Sequence, residues 1–300
     1  MSTEESTKSP IADNLSQMQV ALHLPCARCG YELRELAADG DCPECGEPIR
    51  LTIIEVVDPT SRRLSPIHNP RLVGNSIISV VLFFFVAVLL GVLAILSRGP
   101  DSLPIPNFHR IFPTHLFVWL SAASGFIALV SLIPIMKMCR QSLLVGCRQG
   151  LVFTFFGLCM WSLSMVLIVL VILTSDSRTG AVTMLFDTCL PVIAAGLVFT
   201  GFRRLVPRLG QRSRAFRQAQ GSRQRMNDLL AALVVIIIGR TLLVVSAPAS
   251  NLSLLGLIVM VMSVSLVVIG LGYLLLNTIW IRNALVSPPP ALHGLLHPKN

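Results

Sequence analysis

Six long apolar runs constrain this chain more than any other feature. They cover roughly residues 72–96, 114–136, 151–174, 180–202, 229–247 and 252–281. A helix needs about 20 mainly apolar residues to cross the hydrocarbon of a bilayer, and these runs meet that length. A globular core cannot hide six of them. The charge content agrees. Asp, Glu, Lys and Arg make up 13% of the residues, against roughly 25% in a soluble domain. That is too little charge to cover a water-facing surface. The expected fold class is an α-helical polytopic membrane protein with about six transmembrane helices, and its first partner is the lipid bilayer. The last run is long enough to be tilted or kinked.

The N-terminal part reads differently. Eleven of the fifteen acids lie in residues 1–60, and none follows Asp228. Residues 1–14 have neither a basic segment nor an apolar one, so no secretory leader is expected. Residues 1–20 hold too little apolar surface to repay ordering and are expected to be disordered. A small head over 21–60, a linker over 61–71 and a membrane domain over 72–286 follow. The tail, 287–300, begins with Pro288, Pro289 and Pro290 and reads as a disordered end.

Within the head, Cys26-Ala27-Arg28-Cys29-Gly30 and Cys42-Pro43-Glu44-Cys45-Gly46 form two C-x-x-C-G units, with twelve residues between Cys29 and Cys42. Each unit is a short turn that presents two thiolates to one ion. The glycine after the second cysteine permits a left-handed backbone. Four thiolates make a closed tetrahedral shell of the structural zinc kind, with no open catalytic position. So short a stretch has no independent core, and metal binding must supply most of its folding free energy, on the order of 10 kcal/mol. Iron in an S4 site uses similar knuckles. Two disulfides do not suit the cytosol, and a thioredoxin-like pair would need a βαβ context that is missing here. Residues 51–57, Leu-Thr-Ile-Ile-Glu-Val-Val, are β-branched and are expected to add a strand.

The wider string, C-A-R-C-G-Y-E-L-R-E-L followed by G-D-C-P-E-C-G, resembles the N-terminal zinc ribbon of many planctomycete membrane proteins. The resemblance covers about 21 residues and does not extend to the apolar runs. It implies a small β-type zinc ribbon, with Cys26, Cys29, Cys42 and Cys45 holding one structural zinc ion. It implies an architecture and not an activity.

Charge narrows what the ribbon can meet. Between Cys26 and Glu47, Arg28 and Arg34 face six acids: Glu32, Glu35, Asp39, Asp41, Glu44 and Glu47. The formal balance is −4, and a Zn(Cys)4 centre adds about −2. Phosphate binding needs a basic surface, so a nucleic-acid partner is not expected for the ribbon. An unidentified protein partner, or a purely structural role, fits better.

The basic residues instead mark the sides of the membrane. Arg62, Arg63, Arg71, Lys137, Arg140, Arg148, Arg282, Lys299 and eight arginines of residues 203–228 fall on one side. Only Arg98, Arg110 and Arg178 fall on the other. Both termini are therefore expected in the cytosol, with the protein in the cytoplasmic (inner) membrane. The 203–228 loop is the densest cluster. Arg203, Arg204, Arg208, Arg212, Arg214 and Arg217 are candidates for contact with anionic lipid headgroups, at about 1 kcal/mol per basic residue near the surface. Two other roles stay open for this loop: fixing topology alone, or docking the acidic ribbon.

Two ionisable groups lie inside the runs, Asp187 in the fourth and Arg240 in the fifth. Each lies seven residues from the outer end of its run, about 10 Å deep at 1.5 Å per residue. An intramembrane Asp187–Arg240 ion pair is expected. The alternative is an arginine that snorkels outward alone, with Asp187 facing a hydrated cleft. No P-loop, GxGxxG or HExxH pattern occurs, and no histidine lies deep in a run. The chain therefore reads as a non-enzymatic membrane protein whose ribbon serves interaction or assembly. A small transporter or channel is the second reading.

Overall fold

The computed structural model describes residues 17–57, 69–97, 113–141, 145–174, 181–211, 213–219, 225–246, 250–287 and 295–298. They belong to two compact units. One joins Met1–Ser65 to Ser287–Asn300, and the other is Pro66–Val286.

The first unit contains strand β1 (Met18–Val20), helix α1 (Ile49–Val57) and, from the far end of the chain, strand β2 (Leu296–Pro298). β1 and β2 pair antiparallel, with Gln19 opposite His297. The other edge of β1 is taken by residues 35–38. Val20 N–H donates to the Leu36 carbonyl at 3.0 Å, and Ala38 N–H to the Met18 carbonyl at 3.0 Å. β1 is thus flanked on both sides, which removes two exposed edges. Val20, Leu24, Leu33, Ile49, Ile53 and Leu296 are buried together in the small core.

Three expectations change here. Residues 51–57 belong to a helix and not to a strand. Ile49, Thr52, Ile53 and Val57 are its buried positions, and that spacing lays one stripe along a helix face. The β-branched content pointed the other way, but packing against the cysteine turns decides the outcome. The tail is not wholly disordered, because Leu295 and Leu296 are buried and the strand is paired. Likewise Met18–Val20, placed within a disordered N-terminus, is a strand. Residues 1–16 and 288–294 lie outside the described residues.

The second unit is helical: α2 (Pro70–Leu96), α3 (Thr114–Ser131), α4 (Ile133–Gln141), α5 (Val145–Thr174), α6 (Ala181–Gly210), α7 (Arg214–Gln218), α8 (Met226–Val245) and α9 (Asn251–Val286). Six helices among the described residues are long and apolar enough to cross a membrane, with α3 and the start of α4 counted as one span. The α3–α4 break has a local cause. Pro134 has no N–H for the Val130 carbonyl. The chain tightens at Leu132, whose N–H bonds to Leu129 at 3.1 Å, before the helix resumes. The last run is one continuous helix of 36 residues, about 54 Å long and longer than the bilayer's apolar core.

The spans pack in a closed ring: α2 on α3, α3 on α5, α5 on α6, α6 on α8, α8 on α9, and α9 back on α2. Phe84 of α2 stands at the centre, edge-on to Trp161 of α5 at 5.5 Å and to Phe199 and Phe202 of α6 at 6.0 and 6.3 Å. Lipid is as apolar as a leucine side chain, so shape and polar links must hold such helices together. Both are present. Ser121 of α3 donates to the Ala87 carbonyl of α2 at 2.7 Å, and the Trp161 indole N–H donates to Ser121 at 3.3 Å. Between α5 and α6, a Cβ on Gly157 would stand 2.9 Å from the Ala194 carbonyl and 2.8 Å from the Val198 nitrogen. Only a residue without a side chain allows that approach.

Candidate metal centre

The two cysteine turns have one construction, repeated. In the first, Cys26 N–H donates to the Tyr31 carbonyl at 2.7 Å and Gly30 N–H returns to the Cys26 carbonyl at 2.9 Å. In the second, Cys42 N–H donates to Glu47 at 2.8 Å and Gly46 N–H to Cys42 at 2.9 Å. Gly30 and Gly46 have φ of 79° and 70°, so each turn closes through a left-handed residue where a side chain is disfavoured. Bridges Pro25–Glu32 and Asp41–Pro48 hold the two bases.

The turns face each other. Cys26 Sγ lies 3.7 Å from Cys45 Sγ, and Cys29 Sγ lies 3.6 Å from Cys42 Sγ. All four sulfurs lie within 4.8 Å of one another. A tetrahedron of 2.3 Å metal–sulfur bonds has edges of about 3.8 Å, so the four thiols fit one tetrahedral metal ion. The sequence-predicted ligands are thus the residues that the fold brings together.

The peptide N–H groups prepare the site for anionic sulfur. Those of Cys29 and Arg28 pull the Cys26 thiol down to about 6. The Tyr31 N–H acts on Cys29 in the same sense and the Glu47 N–H on Cys45. There, desolvation and the crowded neighbouring thiols outweigh the peptide, and Cys45 is pushed up to about 12 while Cys29 also rises. Four sulfurs this close do not all ionise without a cation. A bound metal reverses that balance. Around the site, His23 contacts Glu32 and Arg28 pairs with Glu47 at 3.4 Å, so part of the acidic charge is met by an arginine.

α6 and α8 run antiparallel, and a Cβ on Gly196 would stand 3.8 Å from Leu233. Arg240 lies seven residues beyond Leu233, level with residue 189 of α6. Asp187 is therefore within about 3 Å of the same depth. Asp187 and Thr188 line a cavity of about 100 Å³ to which all six spans contribute, including Val118, Trp161 and Val267. Leu233 and Ile236 line it from α8, and Arg240 follows them on the same helical face.

The basic cluster is more structured than a loop. α6 runs on to Gly210 because Leu205, Val206 and Leu209 still bury. Arg203, Arg204 and Arg208 are exposed on it, while Arg214 and Arg217 sit half-buried on α7. Phe216 anchors α7 in the core, and Ser213 caps it by accepting the Phe216 N–H at 3.2 Å. Arg217 donates to the Gln211 carbonyl. Arg212 lies outside the described residues. Sequence reasoning passed over Arg148 and Gln149 as partners of this cluster. Gln149 accepts from Arg204 at 2.8 Å, a contact that only the α5–α6 packing creates.

No protein-family model, no curated protein and no solved structure matches this chain.

Proposed function

We propose that this chain is an integral membrane protein of the cytoplasmic membrane whose cytosolic four-cysteine unit is a structural zinc ribbon serving protein interaction or assembly. The closed set of four sulfurs at tetrahedral spacing carries this reading. A shell filled by four thiolates has no position for a substrate, so the ion's work is to fold the unit. The thiols favour zinc over harder cations, and iron is the competing S4 ion. The acidic surface disfavours nucleic acid and suits a basic protein partner.

Two measurements test the proposal. Elemental analysis of the purified full chain is expected to give one zinc per chain, lost in Cys26→Ser/Cys45→Ser. In-cell cross-linking with mass spectrometry is expected to capture a partner through residues 17–57 that this variant loses. Stoichiometric iron would overturn the zinc assignment, and identical cross-links with and without the cysteines would overturn the interaction role.

A second reading, a small transporter or channel, draws on the cavity among the six spans. Its lining is apolar apart from Asp187, Thr188 and the Trp161 indole. That is a poor lining for a continuous ion path.

A further inference from the structure

We propose that the groove between the first turns of α5 and the last turns of α6 binds the phosphate of one anionic phospholipid. Arg148 and Arg204 are its cationic ligands, and the apolar stripe below them is the bed for an acyl chain. This rests on the membrane reading of the six helices and is independent of the metal centre.

The groove is lined by Arg148, Gln149, Val152, Phe153 and Arg204 and has a volume of about 350 Å³. Its two cations come from different helices, and neither forms an ion pair among the described residues. Arg204 is oriented rather than free to sweep. One of its Nη groups donates to Gln149 Oε1 at 2.8 Å, and its guanidinium carbon lies 5.0 Å from the centre of the Phe153 ring. A guanidinium has five N–H donors in a planar fork, so the Gln149 contact aims the remaining edge and leaves donors for phosphate oxygens.

The frame beneath is fixed. A Cβ on Gly150 would stand 3.0 Å from the Gly201 carbonyl and 3.2 Å from Arg204 Cβ, so the two helices touch directly at the level of the arginines. An arginine that only fixed topology would need the correct side of the membrane and nothing more. It would not need a glutamine clamp, an aromatic face or a glycine contact to hold its base.

The ligand is a lipid rather than a soluble phosphate because of what continues from the groove. Gln149, Val152, Phe153 and Phe156 recur at helical spacing on one face of α5. Val152 is 45% exposed and Phe156 60% exposed. They run from the arginine level toward the middle of the span, along the path of an acyl chain whose headgroup sits between Arg148 and Arg204. A basic pocket between helices at the membrane edge suits such a headgroup.

Native mass spectrometry of the detergent-purified full chain tests this, with phosphatidylglycerol and phosphatidylcholine as probes. The expected result is one retained phosphatidylglycerol, bound about tenfold or more tightly than phosphatidylcholine. Arg148→Gln/Arg204→Gln is expected to remove that preference. Gln149→Ala is expected to weaken it by about threefold. Arg71→Gln changes a basic residue at the same end of the bundle that does not line the groove, and is expected to have no effect. The single variants serve if the double variant does not fold.

Equal loss in Arg71→Gln would mean diffuse attraction and would overturn the site, as would unchanged binding in the double variant. Displacement of the lipid by millimolar glycerol phosphate would overturn the lipid assignment in favour of a soluble phosphate. Cys26→Ser/Cys45→Ser is expected to bind the lipid normally, which separates this proposal from the zinc reading. Alkaline carbonate extraction of membranes reports separately on whether the chain is inserted at all.

Discussion

Gly30 and Gly46 sit where an L side chain is strained by about 1–2 kcal/mol, and they do so to let four sulfurs converge. The proton balance of those sulfurs sets a pH dependence. At neutral pH the Cys26 thiol, held near 6, is already ionised, while Cys29 and Cys45 are raised and keep their protons. A metal that takes all four as thiolates must expel at least those two. Acid therefore opposes binding, and affinity is expected to fall by at least about 100-fold per unit of pH lost between 8 and 6.5. Chelator competition across that range checks it, and a flat profile would mean that the thiols do not ligate. Inside the bundle, the shared depth of Asp187 and Arg240 leads to a second expectation. Asp187→Asn and Arg240→Gln should each destabilise by about 3 kcal/mol, and the double variant by less than their sum. Additive losses in thermal unfolding in detergent would show that the two do not form a pair.

At the scale of the element, the small unit is completed by the last residues of the chain. β1 pairs with β2, and Leu295 and Leu296 enter the same core as Ile49 and Ile53. Deleting residues 295–300 is therefore expected to expose the β1 edge and weaken metal retention at least tenfold, although none of the four cysteines is removed. Wild-type retention after the deletion would refute the coupling. This pairing also shows where sequence reading stops. Cys26, Cys29, Cys42 and Cys45 were legible because metal ligation needs fixed spacing within each turn, and a spacing is visible in one sequence. β2 has three residues, and its hydrogen bonds are to a segment at the opposite end of the chain. Nothing local announces such a partner. The α1 segment misled for a related reason. Its β-branched residues favour a strand intrinsically, whereas Ile49, Ile53 and Val57 at helical spacing bury one face against the cysteine turns. The spans were legible in number, but several helices run past the apolar residues. Hydropathy ends at the first arginines, while α6 continues to Gly210 with Arg203, Arg204 and Arg208 on its exposed side. The Arg204–Gln149 contact was not legible at all, because it depends on the glycine-level approach of two helices.

For the whole molecule, the alternating direction of the six spans gathers the basic groups at one end. Arg71 begins α2, Lys137 lies in α4, and Arg148 is in the first turns of α5. Arg203, Arg204 and Arg208 close α6, Arg225 precedes α8, and Arg282 closes α9, where it donates to Asn75 of α2 at 2.9 Å. Asp228 is the acid at that end among the described residues of the spans. Independently, β1 and β2 are hydrogen-bonded, so the segments before the first span and after the last must share a side of any bilayer. An even number of spans satisfies that. Strand pairing and charge asymmetry, which are independent of each other, therefore predict the same topology, with both ends where the positive end lies. Lys and Arg are retained in the cytosol during insertion, so that end is expected inside. A fluorescent protein fused after Asn300 should then fold and fluoresce in the cytosol, and alkaline phosphatase inserted between residues 98 and 112 should be active outside. An active phosphatase at the C-terminus would invert the topology and move the four thiols into an oxidising compartment. There they would meet disulfide chemistry instead of metal, so one pair of fusions tests the orientation and the premise of the metal site together.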